Sequence, residues 1–175
     1  MSRLGRQVEE ATVALQSIGA PFALIGGLAL APHKVVRATQ DIDLLVDAVR
    51  ADDVEQLFMA LGYRRLHRSD DAANYARGDE RLDLIYARRP IARRLLASAR
   101  EITTSFGVIP VVSAEGLIAL KLQAVSNDPT RDQDLVDIRA LVRVNRTSLD
   151  TSELREYFVL FGREALLDEL LREAD

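Results

Sequence analysis

Three aspartates, Asp41, Asp43 and Asp83, carry the clearest chemistry in this 175-residue chain. Asp41 and Asp43 stand two apart in the run Asp41-Ile42-Asp43-Leu44-Leu45-Val46, which reads as a strand. Residues two apart on a strand project from the same face, so both carboxylates point together while Ile42 and Leu44 turn to the core. Adjacent carboxylates repel one another unless a cation neutralises them. Mg²⁺, or Mn²⁺ in its place, meets that need while bridging to a triphosphate, because it takes one or two carboxylates together with waters and substrate phosphates. Asp83 lies in a second candidate strand, Arg81 to Tyr86, whose Leu82 and Leu84 face away from it. A third acid there fits a second metal ion or a base toward an attacking hydroxyl.

A bare D-x-D has a bland reading, two carboxylates at a strand end in water, so the neighbours decide. Gly26-Gly27 ends the apolar run Phe22 to Ile25 and precedes the acids by thirteen intervening residues. The glycines permit close backbone approach, and the helix expected after them would turn free N–H groups and its positive dipole end to phosphate oxygens. Arg37 fits a phosphate contact and Thr39 the orientation of a metal ligand, though either serves equally well as a turn residue. Lys121 is one of two lysines beside twenty-one arginines. A compact ammonium in an otherwise apolar helix fits a contact with the α- or γ-phosphate; its alternative is a stem that runs past the core to water. Arg131 and Asp134, three apart, form a surface ion pair or belong to the site. His33 reads as structural or exposed, and His67 lies among arginines with no matching partner.

These residues must be held by a mixed set of elements. A first helix carries Val8, Ala11, Thr12, Leu15 and Ile18 at helical spacing and stops at Gly19-Ala20-Pro21. Asp52 and Glu55 form a capping-box pattern before a helix that ends at Gly62. Weak strands follow between Tyr63 and Tyr86, then a helix over Ile91 to Arg100 and a strand over Gly107 to Val112. Beyond Ser113 the pattern is helical, with segments to about Ser126, from Arg131 to Val144, and from Asp150 onward. The expectation is an α/β (α+β) fold, a small mixed sheet with flanking helices over 1–112 and a C-terminal helical region packed on it over 113–175.

The chain has no cysteine, so a metal must be held by oxygen or histidine, and hard cations are favoured. Without a leader-like N-terminus or a long apolar run, a soluble cytoplasmic protein off the membrane is expected. Net charge is −4 but unevenly spread. Arg64 to Arg100 holds ten arginines against five acids, whereas Asp150 to Asp175 holds eight acids against three arginines. The first stretch could offer RNA or a polyphosphate a basic surface, and solvated helix faces explain it equally well.

The order Gly-Gly, helix, Arg37-x-Thr39-x-Asp41-Ile42-Asp43-Leu44, with Leu82-Asp83 later, resembles the DNA polymerase β-like nucleotidyltransferases. It is most similar to the AbiEii-type (MenT-like) toxins. Leu120-Lys121-Leu122 and Arg131-Asp132-Gln133-Asp134 follow in the family's order, with Gln133 in place of its usual lysine and Gly27 where many relatives have serine. The resemblance implies the polymerase β-like core and transfer of NMP from an NTP to an acceptor hydroxyl. In it Asp41, Asp43 and Asp83 hold Mg²⁺, and Gly26, Gly27, Arg37, Thr39, Lys121, Arg131 and Asp134 attend the substrate. It further implies an RNA acceptor, a tRNA 3′ end, in a toxin–antitoxin or phage-defence pair with a cognate antitoxin. The alternatives are an aminoglycoside- or lincosamide-type antibiotic nucleotidyltransferase and a non-catalytic binding protein of the same fold.

Overall fold

The structure, a computed structural model, describes residues 2–174. The chain divides into two compact units, one of residues 1–29 with 38–112 and one of 30–37 with 113–175.

The first unit is built on a mixed seven-stranded sheet. Its strands are β1 (Phe22–Ile25), β2 (Asp41–Val46), β3 (Arg64–Arg68), β4 (Ala72–Arg77), β5 (Glu80–Tyr86), β6 (Arg100–Thr104) and β7 (Gly107–Val111). They lie in the order β3-β4-β5-β2-β1-β7-β6. β2 runs antiparallel to β1 and parallel to β5, and β5 runs antiparallel to β4. The alternating pattern of β5 explains its place: Leu82, Leu84 and Tyr86 are buried, while Asp83 and Ile85 remain partly exposed. α1 (Arg3–Ser17) and α2 (Ala51–Ala60), which contact each other, supply Val8, Ala11, Leu15, Val54 and Phe58, all without exposed surface. Phe58 meets Tyr63 edge to face with ring centres 5.8 Å apart. The short α3 (Pro90–Ala97) contacts β2.

The second unit is helical: α4 (Ala114–Asn127), α5 (Asp132–Asn145), α6 (Thr151–Leu160) and α7 (Glu164–Glu173). Two of its caps follow from sequence. The Ser113 hydroxyl accepts from the Gly116 N–H, and Asp150 accepts from the N–H groups of Ser152 and Glu153. α4 packs on α5 and α6, with Leu117, Ile118, Leu122, Ile138, Leu141 and Phe158 buried.

Three local expectations are corrected. Gly26-Gly27 leads not into an α-helix but into a six-residue 3-10 turn, Leu28–His33, which contains Pro32. Proline removes a donor, and the turn closes where the Lys34 N–H donates to Ala31 with Lys34 at φ 65°. The Asp52/Glu55 capping box does not form; Arg50 is the α2 N-cap, without a side-chain bond, and Glu55 is taken by Arg65 and Arg68. The helix expected to reach Arg100 ends at Ala97, and Arg100 begins β6. The strands expected between Tyr63 and Tyr86 do form, three of them in an antiparallel meander. Among the described residues no helix is long and apolar enough to cross a membrane.

Candidate active site

β2 and β5 are parallel neighbours, and their register sets Asp43 directly beside Asp83. Adjacent strands lie about 4.8 Å apart and register partners share a face, so the two carboxylates leave the sheet together. Both are partly exposed, Asp43 between buried Ile42 and Leu44 and Asp83 between buried Leu82 and Leu84. Asp41, two residues earlier on β2, is exposed and lies beside Arg81, whose guanidinium turns away to the carbonyls of Gly78 and Glu80.

Each of the paired acids is shaped by a neighbour on its outer side. Gly26 follows Ile25, the β1 partner of Asp43, and has φ +64°. A Cβ built there would fall inside the Asp43 carboxylate. Any side chain at position 26 therefore displaces Asp43, on top of the strain of a left-handed backbone. On the far side Asn74 of β4 stands in register with Asp83, and its Nδ2 donates to Asp83 Oδ1 at 2.7 Å. Sequence reasoning missed Asn74, because its role depends on a strand register that no local pattern states.

The donor set suits a hard divalent cation. The ligands on offer are carboxylate oxygens, and Gly26 clears the space that Asp43 fills. Among the described residues no group of three or more His, Cys, Asp or Glu side chains is gathered tightly enough to hold an ion unaided. Mg²⁺ seldom uses such an all-protein cage and completes its shell with waters and phosphate oxygens.

The second unit gathers the remaining charged candidates. Lys121 Nζ donates to Asp134 Oδ1 at 2.8 Å and to Asp137 Oδ2 at 2.7 Å. Lys121 is 7% exposed and Asp137 2%. Arg131 Nε donates to Asp134 Oδ2 at 2.6 Å, Gln133 donates to Asp137 Oδ1, and Arg37 Nε lies 3.4 Å from Asp137. Burial pushes the Asp134 carboxyl up, but the bonds from Lys121 and Arg131 outweigh it and hold it below its ordinary value. Asp137 matches the last acid of the family's R-x-K-D-x-x-D-I order but was assigned no role from sequence, although its place three residues after Asp134 put both on one helix face. The reading of Lys121 as a stem that reaches water does not describe this ammonium, which is buried and twice bonded. Thr39 is partly exposed and Gly27 buried in the first unit.

The basic stretch is less open than its sequence implies. Arg65, Arg68, Arg77, Arg88 and Arg89 are all in ion pairs. Three of their partners, Glu10, Asp52 and Glu55, come from outside the stretch.

A family model described as "Uncharacterised nucleotidyltransferase" matches residues 2–174, and the chain belongs to that family. Sequence comparison with curated proteins finds no significant match. Solved structures share the fold. The antibiotic-resistance factor ANT(2'')-Ia, seen in solution, superposes with a TM-score of 0.71 at 21% identity over 97% of each chain. The lincosamide antibiotic adenylyltransferase LnuA, bound to lincomycin, gives 0.60 at 17% identity over 79% of this chain and 96% of its own. An antigenic nucleotidyltransferase-like protein from Paracoccidioides brasiliensis gives 0.59 at 18% identity, over 97% of this chain and 92% of its own.

Proposed function

We propose that this chain transfers a nucleoside monophosphate from an NTP to an acceptor hydroxyl, with Asp41, Asp43 and Asp83 as the acids of the reaction. The observation that carries the reading is the pairing of Asp43 with Asp83 beside a glycine whose missing side chain makes room for Asp43. Asp41, Asp43 and Asp83, together with waters and phosphate oxygens, would hold a Mg²⁺ or Mn²⁺ ion, which would supply charge compensation for the triphosphate and acidify the hydroxyl. The acceptor oxygen bonds to the α-phosphorus, the bond from that phosphorus to the β-phosphate bridging oxygen breaks, and pyrophosphate leaves. Asp83 Oδ2 takes the hydroxyl proton. The backbone at Gly26 and Gly27 lets phosphate oxygens approach, and Thr39 orients a metal ligand. Within the second unit, Lys121, Arg131 and Arg37 set three cations against the two carboxylates of Asp134 and Asp137, a net positive charge.

For the acceptor, a small hydroxylated molecule is the better supported class. At least five of the ten arginines in the basic stretch are tied to acids, which leaves a weaker field for a nucleic acid than the sequence implied. The lincomycin bound to the lincosamide antibiotic adenylyltransferase LnuA and the adenylyl-2''-tobramycin in complex with ANT(2'')-Ia belong to this class. The second reading is an RNA 3′ end, tRNA above all, with the chain as a toxin held by a cognate antitoxin. The residual excess of arginine in the stretch favours it.

Incubation with each radiolabelled NTP and Mg²⁺, in the presence of total tRNA or of a panel of aminoglycosides and lincosamides, tests both. Label on a small acceptor supports the first reading and label on RNA the second. Pyrophosphate release with neither acceptor above a no-acceptor control would leave only the non-catalytic alternative.

A further inference from the structure

The acid pair belongs to a longer row. In register across β3, β4, β5 and β2 stand His67, Asn74, Asp83 and Asp43. Residues two apart share a face, so the other β4 side chains on that face are Ala72 and Ala76. Their methyls leave Asn74 the one polar group on that face of β4, and its amide reaches Asp83.

The type of donor matters as much as its presence. A carboxylate offers about four lone-pair sites on two oxygens, and one amide bond to Oδ1 fixes its rotation while leaving Oδ2 open. An arginine or lysine in the same place would orient Asp83 too, but its charge would compete with a cation for the carboxylate. Asparagine orients without neutralising. Asp43 is settled on the opposite flank, against Gly26, so each of the two acids is shaped by a neighbour on its outer side.

We propose that Asn74 is a positioning residue of the transferase site, holding Asp83 through Oδ1 so that Oδ2 serves the divalent ion and the acceptor hydroxyl. The inference rests on the reading of Asp83 as a metal ligand. The test is chosen to separate failure of one from failure of the other.

Mn²⁺ affinity, followed by the free-ion resonance in the presence of the four α,β-nonhydrolysable NTP analogues, is the readout. Outer partners of ligating carboxylates commonly change affinity by 10- to 100-fold, so Asn74→Ala should weaken Mn²⁺ binding about tenfold. Asn74→Ser, which keeps a short donor, should recover most of that loss, and it also guards against a failure of the alanine variant to fold. His67→Ala, which removes the register partner of Asn74 on its other side, should leave Mn²⁺ affinity within about twofold of wild type. The decisive arm is the cycle with Asp83→Asn. In that background Asn74→Ala should change Mn²⁺ affinity by less than about twofold, because a residue that acts through Asp83 has nothing left to act on.

Equal weakening by Asn74→Ala with and without Asp83 would overturn the proposal, since the amide would then be acting on the sheet. Wild-type binding in Asn74→Ala beside weakened binding in Asp83→Asn would overturn it alone. Wild-type binding in Asp83→Asn itself would remove the reading of Asp83 and the inference with it.

Discussion

Asp83 and Asp137 are the same residue type in similar sequence settings, each among leucines, isoleucines or valines, and the fold puts them to opposite uses. Asp83 is partly exposed and is met by a neutral amide. Asp137 is 2% exposed and is met by an ammonium, with Gln133 on its other oxygen and Arg37 close by. The charge of Asp137 is compensated within the protein, so removing a partner strands a buried charge. On the proposed reading the charge of Asp83 is oriented but kept, so removing Asp83 should cost the fold little and the chemistry much. The sign of a carboxylate's neighbours therefore separates a group set aside for a ligand from one that braces the fold.

The sharpest break of this comparison is at the acids. Asp43→Ala or Asp41→Ala should reduce nucleotide transfer by about a thousandfold or more, with Tm unchanged or slightly raised as carboxylate repulsion is relieved. Steady-state rates beside thermal melts check it, and retained Mg²⁺-dependent transfer in Asp41→Ala would remove that residue from the site. Gly26→Ala should act almost as strongly, because its Cβ takes the place of the Asp43 carboxylate. The left-handed backbone adds a stability cost of about 1–2 kcal/mol, so here activity and Tm should fall together.

Lys121 should show the reverse weighting. Lys121→Met leaves Asp134 and Asp137 buried without their ammonium, and breaking such a pair costs about 3–5 kcal/mol. A Tm loss of roughly 10 °C is the expected reading. An unchanged Tm would mean that the cluster is not the brace it resembles. The pH dependence has a definite sign. Asp134 titrates below its ordinary value in the folded protein, so its contribution is present above the unfolded pKa of about 3.9 and is lost as pH falls through the folded value. Melts from pH 6 to pH 3 should show wild type losing stability below about pH 4, and Asp134→Asn should flatten part of that acid limb.

What was legible in the sequence follows from the reach of each signal. Asp41, Asp43 and Asp83 were legible because strand period is local and an acid between leucines stands out. The glycine pair was legible as a close approach, but only the fold identifies the approaching group as Asp43. The helix expected after it fails on one residue, Pro32, whose missing donor leaves a 3-10 turn. β6 was hidden because Arg100-Glu101-Ile102-Thr103-Thr104 gains strand character only by pairing with β7 around Gly107 at φ +110°. Asn74 shows the limit most clearly, since a residue nine positions from its partner becomes part of the site through register alone.

The smallest effect is expected where the sequence looked most promising for RNA. Arg88 and Arg89 pair with Asp70 and Asp71 at 2.8 and 3.1 Å, and all four side chains are more than half exposed. Such pairs contribute about 0–1 kcal/mol, so the double reversal Arg88→Glu with Arg89→Glu should leave the fold intact while gathering four acids at the turn between β3 and β4. With a small acceptor, transfer should change less than about twofold between 50 and 200 mM salt, because no polyanion passes these side chains. With an RNA acceptor each lost phosphate contact should lower the salt slope of binding by about one, and transfer to RNA should collapse while NTP binding persists. A steep, salt-dependent loss in that variant would therefore reverse the preference between the two acceptors, and it would do so without touching the acids, which both readings share.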